Sequence, residues 1–315
     1  MEEGLSRVRP RSLAGYLGLA ARGFLMGSVD IIPGVSGGTV AFIVGIYHEL
    51  IEALRSLLAP ETLRLMLRLR LAHLARLPSA RFLAALAAGI ALGIFTLAHG
   101  LEWLLARYPS LLWAFFFGLV AASALTITRR VRRWSSGPLA GLAFAFVGVY
   151  LLVGQVPLHT PDAPLFFFLS GALAVCAMIL PGISGAFVLV LLGKYPAVLA
   201  AVTQRDLATL ALVVAGALVG LATFAQILDW LFRRHHDLTV AVLTGFMLGS
   251  LRKIWPWKSG PEQAGDTLLP TNVLPEALTA EVGAAAALAL GGFAVVLLVS
   301  ALAARPVGTP GAPPA

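Results

Sequence analysis

The chain has 315 residues, of which 59 % are hydrophobic and 12 % are charged, and its mean hydropathy is +0.89. Soluble globular proteins carry about 25 % charged residues, so the composition excludes a soluble enzyme, a disordered chain and a fibrous one. Several apolar runs approach the roughly 20 residues that a membrane-spanning helix needs. The sequence therefore predicts an all-α polytopic membrane protein.

The net charge is +8, from 23 Lys and Arg against 15 Asp and Glu. The basic residues stand in loops between apolar runs, where they set membrane orientation, so we expect no nucleic-acid partner. The single cysteine, Cys176, lies inside an apolar run. An intramolecular disulfide and a cysteine-based metal site are thereby excluded, and no cofactor is expected.

The N-terminus combines arginines with a short apolar run at residues 13–21. This pattern is similar to a signal peptide. The run leads directly into Arg22 and a glycine-rich segment, however, so residues 1–21 are interpreted as an uncleaved interfacial segment.

Two parts of the chain repeat. Residues 30–47 and 178–195 both contain Pro-Gly-x-Ser-Gly followed by Gly-x-Tyr, and Pro181 stands 148 positions after Pro33. A second block matches with an offset of 127 positions. It pairs Gly89, Gly93, Glu102, Trp103 and Gly118 with Gly216, Gly220, Asp229, Trp230 and Gly245. We expect the acids Glu102 and Asp229 to be solvated at membrane ends.

These matches divide the chain into two repeats of one unit. The first is residues 22–128, with a hairpin at 22–54, a basic loop at 55–81 and two transmembrane helices. A linking transmembrane helix follows at 138–154. The second repeat is residues 165–255, with a hairpin at 165–202 and two transmembrane helices. A last transmembrane helix spans 281–304, and 305–315 is a disordered tail.

Three predicted crossings separate the two hairpins, so the repeats are expected to be inverted and the hairpins re-entrant from opposite faces. Most Lys and Arg fall on the side of the N-terminus, which predicts a cytoplasmic N-terminus in a bacterial cytoplasmic membrane. Arg252, Lys253 and Lys258 are exceptions that fall on the outer side.

The two Pro-Gly-x-Ser-Gly segments interrupt apolar stretches and should break the helices there. Such breaks at matching positions of two inverted halves indicate a transporter site. Ser36 and Ser184 are suited to N-cap the helices that follow. Free N–H groups at two facing helix starts would then bind an anion. These groups belong to Gly37, Gly38, Thr39, Gly185 and Ala186. The alternative is that the small residues only permit close helix packing.

Asp30 precedes the first turn within the apolar layer, where a carboxylate costs about 2.5–3.5 kcal/mol. A bound proton or cation would offset this cost, which suggests coupling of transport to a proton or cation. Local backbone N–H groups are the alternative partner. Arg22 and Lys194 could attract an anionic headgroup or serve only as interfacial side chains. The sequence has no catalytic motif, so no enzyme activity is expected.

Two stretches of the chain resemble the bacterial polyprenyl-phosphate transporter family. The first runs from Gly23 through Asp30-Ile31-Ile32-Pro33-Gly34-Val35-Ser36-Gly37-Gly38-Thr39 to Tyr47. The second is Ile179-Leu180-Pro181-Gly182-Ile183-Ser184-Gly185 with Gly193 and Tyr195. Ala186 departs from the small hydroxyl residue expected there.

The resemblance implies a flippase that returns undecaprenyl phosphate to the inner leaflet. By motif position it implies a headgroup site formed by Arg22, Asp30, Pro33, Gly34, Ser36, Gly37, Gly38, Thr39, Pro181, Gly182, Ser184, Gly185 and Ala186. The residues alone indicate only a small anion or an anionic headgroup. An ion-coupled secondary transporter of a small soluble anion is therefore the alternative. A lipid pyrophosphate phosphatase and a membrane scaffold protein are further alternatives.

Overall fold

The structure is a computed structural model that describes residues 11–30, 36–57, 62, 73, 76–155, 160–264 and 267–303. The described part of the first half forms six helices: α1 Leu13–Asp30, α2 Gly37–Ile43, α3 Tyr47–Leu57, α4 Pro78–Arg107, α5 Pro109–Thr128 and α6 Ser136–Leu152. The second half follows the same order: α7 Pro164–Ile179, α8 Gly185–Leu191, α9 Tyr195–Gln204, α10 Leu207–Arg234, α11 His236–Ser250 and α12 Ala280–Ala303. An antiparallel hairpin of β1 Lys258–Ala264 and β2 Thr267–Asn272 lies between α11 and α12.

Four helices within the described ranges (α4, α5, α10 and α12) are long and apolar enough to cross a membrane. Two bent pairs, α2 with α3 and α8 with α9, raise this number to six if each pair is one span. The chain is therefore an all-α multi-pass membrane protein.

The bends of the two hairpins have the same local structure. The axes change direction by 119° between α2 and α3 and by 108° between α8 and α9. Gly45 and Gly193 occupy the matched positions at these bends, with φ values of +76° and +68°. A side chain is strained in this left-handed region, so the repeated glycines are explained by the backbone turn that each hairpin needs.

The long helices of the two halves also pack in the same way. A Cβ added to Gly89 of α4 would lie 2.0 Å from the carbonyl oxygen of Ala20, and one added to Gly216 of α10 would lie 1.8 Å from that of Phe168. Gly216 and Phe168 are the repeat equivalents of Gly89 and Ala20. The matched glycines therefore let α1 pack on α4, and α7 on α10, at backbone contact.

The last helix of each half packs on the other half, so the two last helices are exchanged. Gly118 of α5 touches the backbone of Ala289 in α12, and its equivalent Gly245 of α11 touches the backbone of Leu142 in α6. Helix α6 thus packs on the second half and α12 on the first. The sequence predicts a linking helix at 138–154 and a last helix at 281–304. In the structure these segments are the equivalent sixth helices of the two halves.

The N-terminal boundary differs from the expectation. Helix α1 starts at Leu13 and continues through Arg22, so the described part of 1–21 is not separate from the first arm of the hairpin. No proline interrupts Leu13–Asp30, and Gly23 and Gly27 are accommodated by contact with α4. The hairpin of β1 and β2 was not expected from the sequence of 256–278. The predicted tail and most of the predicted basic loop lie outside the described residues.

Candidate functional site

We call the two Pro-Gly-x-Ser-Gly segments, residues 33–37 and 181–185, the first and the second turn. Residues of the first repeat from Ser36 onward contact the backbone at the second turn. Ser36, 2 % exposed, N-caps α2 by accepting a hydrogen bond from the amide of Gly38 at 3.1 Å. Its hydroxyl donates toward the carbonyl oxygens of Met178 and Leu180, each 3.3 Å away. One serine of the first repeat therefore binds the backbone just before the second turn.

Two more hydrogen bonds join the same segments. The buried hydroxyl oxygen of Thr39 accepts from the amide of Gly182 at 3.0 Å. The hydroxyl of Tyr47, also buried, donates to the carbonyl oxygen of Ile179 at 3.1 Å. Breaking α7 at Ile179 frees backbone groups that water cannot reach, and side chains of the first repeat satisfy them.

The close packing around Gly38 and Gly182 leaves no room for a larger residue at either position. A Cβ on Gly38 would lie 2.8 Å from the carbonyl oxygen of Ile179. Gly182 has a φ of +89°, and a Cβ there would lie 2.7 Å from the hydroxyl oxygen of Ser250 in α11. These motif glycines are therefore required by backbone contact and backbone conformation.

A cavity of about 360 Å³ opens beside the second turn. Ser36 and Ser184 contribute its hydroxyl groups, and Gly185 and Ala186 at the start of α8 lie beside them. The remaining walls are small or apolar side chains from α7, α8 and α10, namely Ala174, Val175, Met178, Leu189, Val213 and Ala217, together with Gly171. The cavity thus combines two serine side chains with walls that are otherwise small or apolar.

The two turns differ in their surroundings, which the symmetry of the sequence does not suggest. Six consecutive residues of α2, Gly37–Phe42, are buried, whereas only Leu191 of α8 is buried. The hydroxyl of Ser184 makes no capping hydrogen bond, unlike that of Ser36. The start of α2 is therefore buried by packing, whereas the start of α8 adjoins the cavity.

The other predicted site residues are placed as follows. Arg22 lies in the middle of α1 with an exposed side chain and does not line the cavity. Asp30 is the last residue of α1, and its side chain lies outside the described part of the chain, as do Pro33 and Gly34. Pro181 is buried in the second turn.

Asp229 is a buried acid whose position was predicted wrongly. It was expected to be solvated, but it is 3 % exposed and lies 2.8 Å from Arg55 of α3. Arg233, one turn further along α10, also contacts the carboxylate at 3.0 Å and lies 3.8 Å from Glu52. The signal for this network is an acid in an apolar helix with a basic residue four positions later. The network holds α3 of the first repeat to α10 of the second.

Lys194 is likewise buried, at 1 % exposure, in the bend between α8 and α9. Its ammonium donates to the carbonyl oxygen of Thr160 at 2.8 Å and pairs with Asp162. The ring of Phe167 lies 5.0 Å from it. Lys194 therefore binds the segment before α7 to the bend and does not reach the cavity. Within the described ranges no group of His, Cys, Asp and Glu could hold a metal ion.

Comparison with known proteins identifies the family to which this chain belongs. Residues 26–267 match the VCA0040-like family, described as undecaprenyl phosphate translocase-like. The chain is 43 % identical over 243 residues to the polyprenyl-phosphate transporter of Vibrio cholerae serotype O1, covering 77 % of this chain and 79 % of that protein. It is 26 % identical over 271 residues to the polyprenyl-phosphate transporter of Staphylococcus aureus, covering 80 % and 87 %. No solved structure matches the chain.

Proposed function

Because this chain belongs to the undecaprenyl phosphate translocase-like family, we propose that it is a flippase that returns undecaprenyl phosphate to the inner leaflet of a bacterial cytoplasmic membrane. The observation that carries the proposal is the cavity at the second turn. A polyprenyl phosphate has a small anionic end and a long apolar chain, and the cavity combines the hydroxyls of Ser36 and Ser184 with apolar walls.

The phosphate would lie near the two serine side chains, at the start of α8. The Ser184 hydroxyl and the first amides of α8, at Gly185 and Ala186, would donate to its oxygens. The first isoprene units would lie against Met178, Leu189 and the other apolar walls. A soluble anion would gain nothing from those walls, so the lining favours a lipid over the soluble-anion alternative.

Movement of the lipid would use the two repeats, which we take to be inverted across the membrane. Helix α3 packs on α10 through the Arg55–Asp229 pair. In the described part of the chain, the equivalent helices α9 and α4 make no comparable contact. The structure would then be a state that is closed at the α3–α10 end and open at the second turn. The opposite state would open α3 from α10 and close α9 on α4.

The basic loop at 55–81 adjoins the closed end, so on the predicted topology this end is cytoplasmic and the open state faces outward. A lipid would enter from the outer leaflet and leave to the inner one. Asp30, at the end of α1, would bind and release a proton or cation during this cycle. Ionised Asp30 would repel the phosphate, which gives the coupling ion a role in closing the site.

The test is transport of a labelled polyprenyl phosphate by the full chain in liposomes, with D30N beside the wild type. We expect transport by the wild type, with its rate dependent on an imposed proton or cation gradient, and at least a tenfold loss in D30N. The variant E276Q removes an exposed acid and is expected to transport as the wild type does.

Three outcomes would change the proposal. Transport of a soluble anion in place of the lipid would overturn the substrate. Lipid transport that survives D30N would remove Asp30 from the mechanism. Hydrolysis of a lipid pyrophosphate by the purified chain would show an enzyme, and no transport under any gradient would favour a scaffold protein.

A further inference from the structure

Three basic residues that follow α11 lie close together without acidic partners. Arg252, Lys253 and Lys258 are half-buried, and within the described residues none forms an ion pair. Burial, followed by the charges of the nearby Lys253 and Arg252, lowers the pKa of Lys258 to about 8. Like charges repel, so this arrangement is unfavourable unless an anion offsets it. We call these three residues the basic cluster.

The hydrogen bonds of the basic cluster go to neutral oxygens. The ammonium of Lys258 donates to the backbone carbonyl of Lys253 at 2.9 Å and to the side-chain oxygen of Asn272 at 3.4 Å. Arg252 donates to the carbonyl oxygen of Tyr150 at 2.7 Å. These contacts fix the direction of the cations without neutralising them, as a site for an anion requires.

An apolar cavity of about 410 Å³ adjoins the basic cluster. Arg252 belongs to both, and Asn272, which also lines the cavity, donates to the carbonyl oxygen of Arg252 at 2.7 Å. The other walls are mostly aromatic or aliphatic: Phe117, Phe146, Tyr150, Leu248, Leu251, Trp255, Val273 and Leu274. Positive charge and apolar volume are thus combined at one place, which suits an amphiphile better than a soluble anion.

The basic cluster also reaches the second turn. The ammonium of Lys253 lies 4.9 Å from the ring centre of Phe187 in α8, two residues after Gly185. The hydroxyl of Ser250, at the end of α11, lies where a side chain of Gly182 would be. Helix α8 therefore contacts the basic cluster through Phe187 and lines the cavity at the second turn with Gly185 and Ala186.

We propose that the basic cluster and the 410 Å³ cavity form a docking site for a phosphate monoester with an apolar chain, which holds the lipid before it reaches the second turn. This proposal rests on the proposed function. The chemistry recognised at the cluster is the phosphate group, whether on a lipid or free. The site also explains why these cations stand on the side of the membrane that positive residues otherwise avoid.

The test measures binding by the full chain in nanodiscs of phosphatidylcholine, with undecaprenyl phosphate, the uncharged polyprenol and inorganic phosphate as probes. The double variant K253Q/K258Q is expected to weaken undecaprenyl phosphate binding by at least tenfold, because it removes two charge-assisted contacts. Polyprenol binding should not change. The matched control R129Q/R130Q removes two exposed charges from the loop between α5 and α6 and should bind undecaprenyl phosphate as the wild type does.

A second pair of variants tests the cavity. Leu274 lines it and is 75 % exposed, whereas Leu278 is 95 % exposed and does not line it. Both positions tolerate a larger residue because they are exposed. L274W is expected to weaken undecaprenyl phosphate binding severalfold and to leave inorganic phosphate unchanged, and L278W should change neither.

Unchanged undecaprenyl phosphate binding by K253Q/K258Q would overturn the docking site, and so would an equal loss in R129Q/R130Q. Inorganic phosphate that binds as tightly as the lipid, with no effect of L274W, would overturn the role of the cavity. A wild type that neither binds nor transports the lipid would instead contradict the proposed function. The transport rate supplies a further readout. K253Q/K258Q should transport slowly at low lipid density and reach the wild-type rate at saturating lipid. A variant that has lost a later step of transport would stay slow at saturating lipid.

Discussion

The hydroxyl oxygen of Thr39 accepts a hydrogen bond from the backbone amide of Gly182 at 3.0 Å, across a sequence separation of 143 residues. It joins the helix after the first broken turn to the backbone of the second turn. Both residues are buried, so water cannot replace either partner. The packing of one repeat on the other thus includes a buried polar contact between α2 and the second turn.

T39V is expected to destabilise the protein by about 1–3 kcal/mol, because it leaves the amide of Gly182 without an acceptor. The measurement is thermal unfolding of the purified chain in detergent. T39S keeps the hydroxyl and should recover most of the loss. Equal melting temperatures for T39V and the wild type would show that this hydrogen bond adds no stability.

G182A is expected to lower stability and transport together. The φ of +89° at Gly182 disfavours a side chain, and the new Cβ would lie 3.0 Å from Cα of Met247 as well as 2.7 Å from the Ser250 hydroxyl. We expect a cost of about 1–3 kcal/mol from the strained conformation alone. The control is G148A in α6, where a Cβ meets nothing within 4 Å. G148A should be neutral or slightly stabilising, as alanine favours helix. A G182A variant that is as stable as G148A would contradict this account.

D229N is expected to weaken the packing of α3 on α10. The substitution leaves Arg55 and Arg233 beside a neutral amide, and loss of one partner from a buried pair costs about 3–5 kcal/mol. Arg55 is about half exposed, so we expect a loss in the lower part of that range, measured by thermal unfolding. If α3 and α10 separate during transport, the lipid transport rate should change as well.

A double-mutant cycle of D229N and R55M distinguishes the interaction between Asp229 and Arg55 from unspecific destabilisation by either substitution. E281Q, which removes an exposed acid at the start of α12, is the control for charge. Additive effects of D229N and R55M would show that the two residues do not stabilise the closed end as a pair.

Binding of a polyprenyl phosphate to the basic cluster is expected to fall as the pH rises through about 8. Burial and the charges of Lys253 and Arg252 lower the pKa of Lys258 to about 8, and burial lowers the pKa of Lys253. Above the pKa the ammonium loses its proton and its attraction for phosphate. The phosphate itself stays a dianion, because its second pKa is about 6.

We expect a fall of about fivefold to tenfold in affinity between pH 7 and pH 9, measured by titration in nanodiscs. K258R should bind at pH 7 and show a shallower fall, because arginine stays charged throughout. The free energy of unfolding changes with pH in the opposite direction to the binding affinity. The unfolded chain keeps the Lys258 proton above pH 8 while the folded chain releases it, so this residue makes folding more favourable as the pH rises toward 10.5. A pH profile of binding shared by K258R and the wild type would show that Lys258 does not contact the phosphate.

Much of the fold follows from spacing in the sequence. The sequence shows that two glycines of α4 are repeated in α10, and the structure explains the repetition: they let the backbones of α1 and α4, and of α7 and α10, touch. The positive φ of Gly45 and Gly193 is likewise the reason for a repeated glycine at both bends. Membership of the transporter family, proposed from the two motifs, is confirmed by the comparisons.

The rest depends on contacts between distant parts of the chain. The pairing of Asp229 with Arg55 joins the two repeats, and no local pattern shows which side chains meet there. The burial of α2 and the exposure of α8 come from one conformation of a symmetrical sequence, so the sequence cannot distinguish them. The first hairpin was predicted to begin at residue 22, but helix α1 runs from Leu13 through Arg22, whose side chain is exposed.

The exchange of the sixth helices has a consequence for the origin and assembly of the protein. A single repeat of six helices would leave the glycine face of its fifth helix uncovered and its sixth helix without a partner. Two such chains would complete each other by trading their last helices, as domain-swapped dimers do. The present chain has the geometry of that dimer after gene fusion. Its two halves, expressed as separate polypeptides, should find each other in the membrane, because each holds the helix that the other lacks.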